Sequence, residues 1–105
     1  MATYLLAYHG GGMPETEEEQ AQVMAAWGQW FGAVGAGMVD GGNPVGATRT
    51  IAPNGSVSDG GGANPVSGYS IIKADSMDAA VELAKSCPLL RSGGSIEVCE
   101  TFAAM

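Results

Sequence analysis

The chain has 105 residues, with eleven acidic side chains, four basic ones and a formal charge of -7 at pH 7. That length suits one hydrophobic core, so one domain over residues 1–105 is expected. Arg49, Lys73, Lys85 and Arg91 are scattered along the chain, which leaves no cationic footprint for nucleic acid or for an anionic membrane surface.

Residues 3 to 9 are a short run rich in Tyr and Leu, stopped by Gly10, Gly11 and Gly12, and read as a first strand. This opening carries no positive charge and is too short for a signal peptide, and nothing later approaches a membrane span, so a cytoplasmic location is expected. After Met13-Pro14, Thr16 followed by Glu19 forms a capping box that starts a helix, with Glu15, Glu17 and Glu18 near the positive end of its dipole. Met24, Trp27, Phe31 and Val34 recur at helical spacing and are expected to form its buried stripe. Gly28 and Gly32 each cost a helix about 1 kcal/mol relative to Ala, which suits a close approach by another backbone.

Gly35 to Gly37 end the helix, Met38 to Asp40 start a second strand, and Ala47 to Ile51 read as extended after the Gly41-Gly42-Asn43-Pro44 turn. Residues 53 to 68 hold five Gly and two Pro, with Val57, Ala63 and Val66 as their apolar side chains, the composition of a mobile hairpin or lid. Tyr69 to Ala74 is a strand. Asp75-Ser76 caps a helix carrying Ala80, Val81, Leu83 and Ala84, and Cys87-Pro88 closes it. Ser95 to Cys99 is the last strand, followed by an apolar tail of Phe102, Ala103, Ala104 and Met105.

This βαββαβ order predicts an α+β, ferredoxin-like split βαβ fold: a four-stranded antiparallel sheet with two helices on one face. Strand 1 is apolar on both sides, with Tyr4, Leu6 and Tyr8 on one and Leu5 and Ala7 on the other, and Ile71-Ile72 repeats the pattern. The face without helices therefore needs a cover. A second copy laid sheet to sheet supplies it, and a homodimer is expected.

Cys87 and Cys99 fit neither a zinc spacing nor a redox pair and are expected to be small buried thiols. One histidine and two distant thiols do not make a metal site, and neither Gly-Lys-Ser/Thr nor Gly-x-Gly-x-x-Gly occurs, so no metal or nucleotide cofactor is expected. His9 is the single histidine, the side chain type suited to proton transfer at neutral pH; a strand-end histidine equally suits a hydrogen bond to a loop. His9-Gly10-Gly11-Gly12 imitates a hydrolase oxyanion loop, but the chain has no Gly-x-Ser-x-Gly, which excludes a hydrolase triad.

Asp40 and Asp59 sit at glycine turns, where Asp commonly bonds its own backbone; facing a cleft beside His9, they would instead be catalytic partners that orient the imidazole. Arg49 is a candidate to hold an anionic substrate, and Tyr8 and Tyr69 are further ligand-binding candidates. Glu97, between Ile96 and Val98, points to the opposite sheet face, either into a dimer cleft or into an edge salt bridge.

Asp59-Gly60, Gly68-Tyr69-Ser70-Ile71-Ile72, Asp78-Ala79-Ala80, Cys87-Pro88 and Ile96-Glu97-Val98, in that order, resemble the YCII-related family, including its DGPF-type branch. The opening strand, the Trp-bearing helix and the Gly-Gly-Asn-Pro turn extend the likeness over nearly the whole chain. The resemblance implies a dimeric α/β barrel of ferredoxin-like protomers, mostly bacterial, with a cleft between the sheets. Some members pair a histidine on the first helix with an aspartate, and a few relatives process chlorinated or lactone-type aromatic breakdown products. This chain has Ala25, Ala26 and Trp27 where that histidine is expected, and Asp59-Gly60-Gly61-Gly62 in place of the signature. The functional expectation is a dimer that binds a small apolar or aromatic molecule between its sheets without turnover. The alternatives are a cofactor-free isomerase or lyase with His9 as general base, and a purely structural partner subunit.

Overall fold

Alternation along the strands decides how this chain folds. In the computed structural model, which describes residues 2–12 and 15–103, β1 (Ala2–His9) buries Tyr4, Leu6 and Tyr8 and leaves Leu5 and Ala7 half-buried on its other side. Met13 and Pro14, read as the approach to the first helix, lie outside the described residues, as do Ala104 and Met105 of the apolar tail. Next come α1 (Glu17–Val34), β2 (Met38–Asp40), β3 (Arg49–Ile51), β4 (Val57–Asp59), β5 (Val66–Ala74), α2 (Met77–Lys85) and β6 (Ser95–Glu100). Four strands make one sheet in the order β2-β5-β1-β6, every neighbouring pair antiparallel. This is the ferredoxin-like arrangement; β3 and β4 form a separate two-stranded hairpin inserted between β2 and β5.

Both helices start where the sequence places a cap. Thr16 Oγ1 accepts from the Glu19 N–H at 3.1 Å, and Ser76 Oγ accepts from the Ala79 N–H at 3.1 Å. Both helices cover the same face of the sheet: Trp30 of α1 and Ala80 and Ala84 of α2 pack with Tyr4, Leu6, Tyr8, Ile72, Ala74 and Cys87. Trp30 is 3% exposed and donates its indole N–H to Leu83 O at 2.9 Å, tying α1 to α2. Trp27 and Phe31 pack beside it with ring centroids 5.8 and 5.7 Å away.

The expected stripe on α1 is corrected at two places. Met24 is 76% exposed, because the covered side of α1 runs through Val23, Ala26, Trp27, Trp30 and Val34 and leaves Met24 outside it, and Trp30, absent from the expected stripe, is the buried anchor. Gly28 and Gly32 do not mark a close approach either, for a Cβ at each would meet nothing within 4 Å. Of the two thiols, Cys87 is buried as expected, whereas Cys99 is exposed on the far side of β6.

The glycine-rich stretch takes more defined form than a lid. Residues 52–56 turn the β3–β4 hairpin, and β5 begins at Val66 rather than Tyr69. No helix among the described residues is long and apolar enough to cross a membrane.

Candidate functional site

The sheet face away from the helices carries Leu5, Ala7 and His9 of β1, Tyr69 and Ile71 of β5, and Glu97 and Cys99 of β6. Their placement follows from the two-residue period of each strand. Between Tyr8 and His9 the pairing with β5 shifts by one, from Gly68 to Val66, leaving Ser67 as the extra residue of a bulge. That bulge brings the loop before β5 over the His9 ring.

His9 is 6% exposed. Its Nδ1 lies 3.0 Å from Asn64 O and 3.1 Å from Pro65 O. Carbonyl oxygens only accept, so Nδ1 carries a proton and donates it to this pair. On the other side of the ring, Nε2 lies 2.6 Å from Glu97 Oε1. The oxygen sits off the direction of a ring N–H, which makes the contact a charge contact rather than an aligned hydrogen bond. His9 is enclosed, whereas the Glu97 side chain is 63% exposed. The carboxylate is therefore the exposed member of the pair.

The other sequence candidates divide. Tyr69 is half-buried on the open face, its hydroxyl 3.5 Å from Asn43 Nδ2. Tyr8 is corrected from ligand contact to core: as an even-numbered residue of β1 it faces the helices, and its hydroxyl donates to Ser70 Oγ at 2.6 Å, which in turn donates to Gly41 O at 2.8 Å. Burial pushes the Tyr8 phenol far above its usual range, and burial also raises the Cys87 thiol beside it.

Asp40 is a turn former. Its Oδ1 accepts from the Gly42 N–H at 2.8 Å, and Gly42 sits at φ +76°, where a Cβ would collide with the Tyr69 carbonyl. Asp40 is opposite Ile71, which in turn faces Leu5, four residues along β1 from His9 or roughly 13 Å. Asp59 and Arg49 face each other on the hairpin, with Arg49 Nε 3.6 Å from Asp59 Oδ1, and are 96% and 76% exposed. Such a pair contributes little, and neither residue touches His9. Neither aspartate thus orients the imidazole; Glu97 and two backbone carbonyls do. Asn64 and Pro65 were beyond sequence reasoning because they act through main-chain oxygen.

Two hollows lie near these elements. An open one of about 490 Å³ runs between Gly10-Gly11 and Gly60–Gly62, with Pro65 and Ser67 in its wall, beside the loop that covers His9. The other, about 550 Å³, lies where Val34 of α1 meets Ala79 and Leu83 of α2 and shares no residue with the pair. Among the described residues, no three His, Cys, Asp or Glu side chains converge as a metal site.

Fold and site together define a ferredoxin-like chain with one sheet face free of helices and an acid–imidazole pair at one end of it. Among solved structures, the chain is similar to 5-chloro-2-hydroxyhydroquinone dehydrochlorinase from Burkholderia phenoliruptrix AC1100 in complex with 2,5-dihydroxybenzoquinone, at a TM-score of 0.55. The likeness spans 96% of this chain and 93% of that one at 16% sequence identity, a likeness of fold. No family model matches the chain, and neither does any curated protein.

Proposed function

We propose that two copies of this chain pair sheet to sheet and bind a small apolar or aromatic molecule in the cleft between them, with the exposed carboxylate of the Glu97–His9 pair as its polar contact. The observation that carries this reading is the area left uncovered. The protomer exposes 7059 Å², against about 5,500 Å² for a folded monomer of its mass. The difference exceeds the roughly 800 Å² that each partner contributes to a standard interface. Its shape agrees: the extents are 43 × 41 × 18 Å, and 18 Å is the depth of one helix layer on one sheet with nothing beyond. The likeness to the YCII-related family adds to this reading, and the structural neighbour, solved with a small ring compound, is in line with it.

A ligand held this way stabilises the native dimer by mass action. Thermal-shift measurements against a panel of small aromatic molecules test the proposal: a rise in Tm that grows with ligand concentration supports it, and a flat response across the panel counts against it.

A second reading, a cofactor-free isomerase or lyase, is favoured by the His9–Glu97 contact itself. Here Glu97 removes the ligand proton and His9 behind it positions the carboxylate, which reverses the order in which the histidine is the base. Exchange of deuterium from solvent into a bound ligand, lost in Glu97→Gln, separates turnover from binding alone.

A further inference from the structure

We infer that the open face carries a bay for one flat, uncharged, hydroxyl-bearing ring, floored by Ala7 and flanked by Tyr69 and Glu97. The floor belongs to a single sheet; only its roof rests on the sheet-to-sheet reading. In the strand register Ala7 lies directly opposite Tyr69 on β5 and directly opposite Glu97 on β6. The three residues therefore sit in one row across three strands, with the Glu97 carboxylate leaning along the sheet to His9. Neighbouring strands are about 4.8 Å apart, so the Tyr69 and Glu97 backbones are roughly 10 Å apart with only a methyl group between them.

The rows on either side shape the bay. Toward the start of β1, Leu5 faces Ile71 and Cys99 and makes an apolar wall. Toward its end, His9 faces Ser95 and holds the Glu97 carboxylate in place. A planar ring lying on the Ala7 methyl has an aromatic neighbour at one edge and a charged acceptor at the other.

Charge selects the class of ring. Glu97 is a hydrogen-bond acceptor and the chain carries -7 overall. Lys73 lies opposite Thr3, two rows beyond Ala7 or roughly 14 Å, and Arg49 is out on the hairpin against Asp59. A carboxylate in the bay would face Glu97 with no cation in its row, whereas a neutral hydroxyl gains a charge-assisted hydrogen bond.

The test is NMR titration of the 15N-labelled chain with hydroquinone under nitrogen and, separately, with terephthalate, which has the same para geometry but two carboxylates. Hydroquinone is expected to shift the amides of Ala7, Tyr69 and Glu97, terephthalate to leave them in place, and Ala7→Leu and Tyr69→Ala each to remove the hydroquinone response. Glu97→Gln should weaken hydroquinone about tenfold, the loss of charge assistance. Equal response to terephthalate, shifts centred away from this row, or an undiminished response in both Ala7→Leu and Tyr69→Ala would overturn the bay. Sedimentation of the same samples keeps the two claims apart: a dimer without row shifts overturns the bay alone, and a monomer with row shifts supports the bay while overturning the paired sheets.

Discussion

His9 and Glu97, on adjacent strands β1 and β6, meet at 2.6 Å between Nε2 and Oε1, with the imidazole enclosed and the carboxylate exposed. Because Nδ1 also holds Asn64 O and Pro65 O, the ring ties the last strand and the loop before β5 to the end of β1. Removing it leaves two carbonyls without their common donor and the carboxylate without its charge contact. His9→Ala should cost about 1–3 kcal/mol of stability and speed amide exchange in residues 60–65. Glu97→Gln, at an exposed position, should cost less than about 1 kcal/mol. Denaturant titration of both variants checks the order, and a larger cost for Glu97→Gln would mean that the carboxylate, not the ring, is the structural member.

Trp30 should be the costliest aromatic on α1 to remove. It is 3% exposed and its indole donates to Leu83 O, so Trp30→Ala is expected to lose about 3–5 kcal/mol. Met24→Ala, at 76% exposure, should stay within about 0.5 kcal/mol of the parent. Equal losses at the two positions would contradict the register of the helix.

Gly28 and Gly32 occupy helix positions where an added methyl meets nothing. Replacing either with Ala should stabilise the chain by up to about 1 kcal/mol through helix propensity and a less flexible unfolded state. A drop in the denaturation midpoint would show that this face of α1 is covered in solution.

Tyr8 and Cys87 are acids whose pKa values are raised in the folded state, chiefly by burial. Below their ordinary values of 10.0 and 9.0 both are neutral whether folded or not, and the stability tied to this is fully present. Above those values the unfolded chain releases protons that the native state retains, so stability falls as pH rises. The Tm should decline from about pH 9 upward. In Cys87→Ala the decline should begin nearer pH 10, where Tyr8 takes over. A Tm that is flat through pH 11 in both proteins would contradict the burial of these two groups.

What the sequence makes legible follows from which signals are local. Strand alternation separates Leu5 and Ala7 from Tyr4, Leu6 and Tyr8, and the caps at Thr16 and Ser76 start the two helices where they are found. The orientation of Glu97 away from Ile96 and Val98 is legible for the same reason. The burial of Trp30 is not, because Met24, Trp27, Trp30 and Phe31 all recur at helical spacing and only the packing against the sheet decides which of them is covered. Nor is the partner of His9: Asp40 and Asp59 are the acids that flank glycines, but the β1–β6 register brings up Glu97, and register is a property of two distant segments. The covering of the ring by Asn64 and Pro65 depends on a bulge at Ser67 that leaves no composition signal.

The central claim is that the uncovered sheet face meets a second copy of itself. Sedimentation equilibrium of the full chain at micromolar concentration tests it most directly, compared with Leu5→Lys, which places a charge in the middle of that face without touching the helix-side core. The account predicts a species of twice 10.6 kDa for the parent chain and a shift toward 10.6 kDa for Leu5→Lys with its far-UV circular dichroism unchanged. A parent chain that sediments as a 10.6 kDa monomer, or a Leu5→Lys variant that dimerises as tightly as the parent, would contradict it.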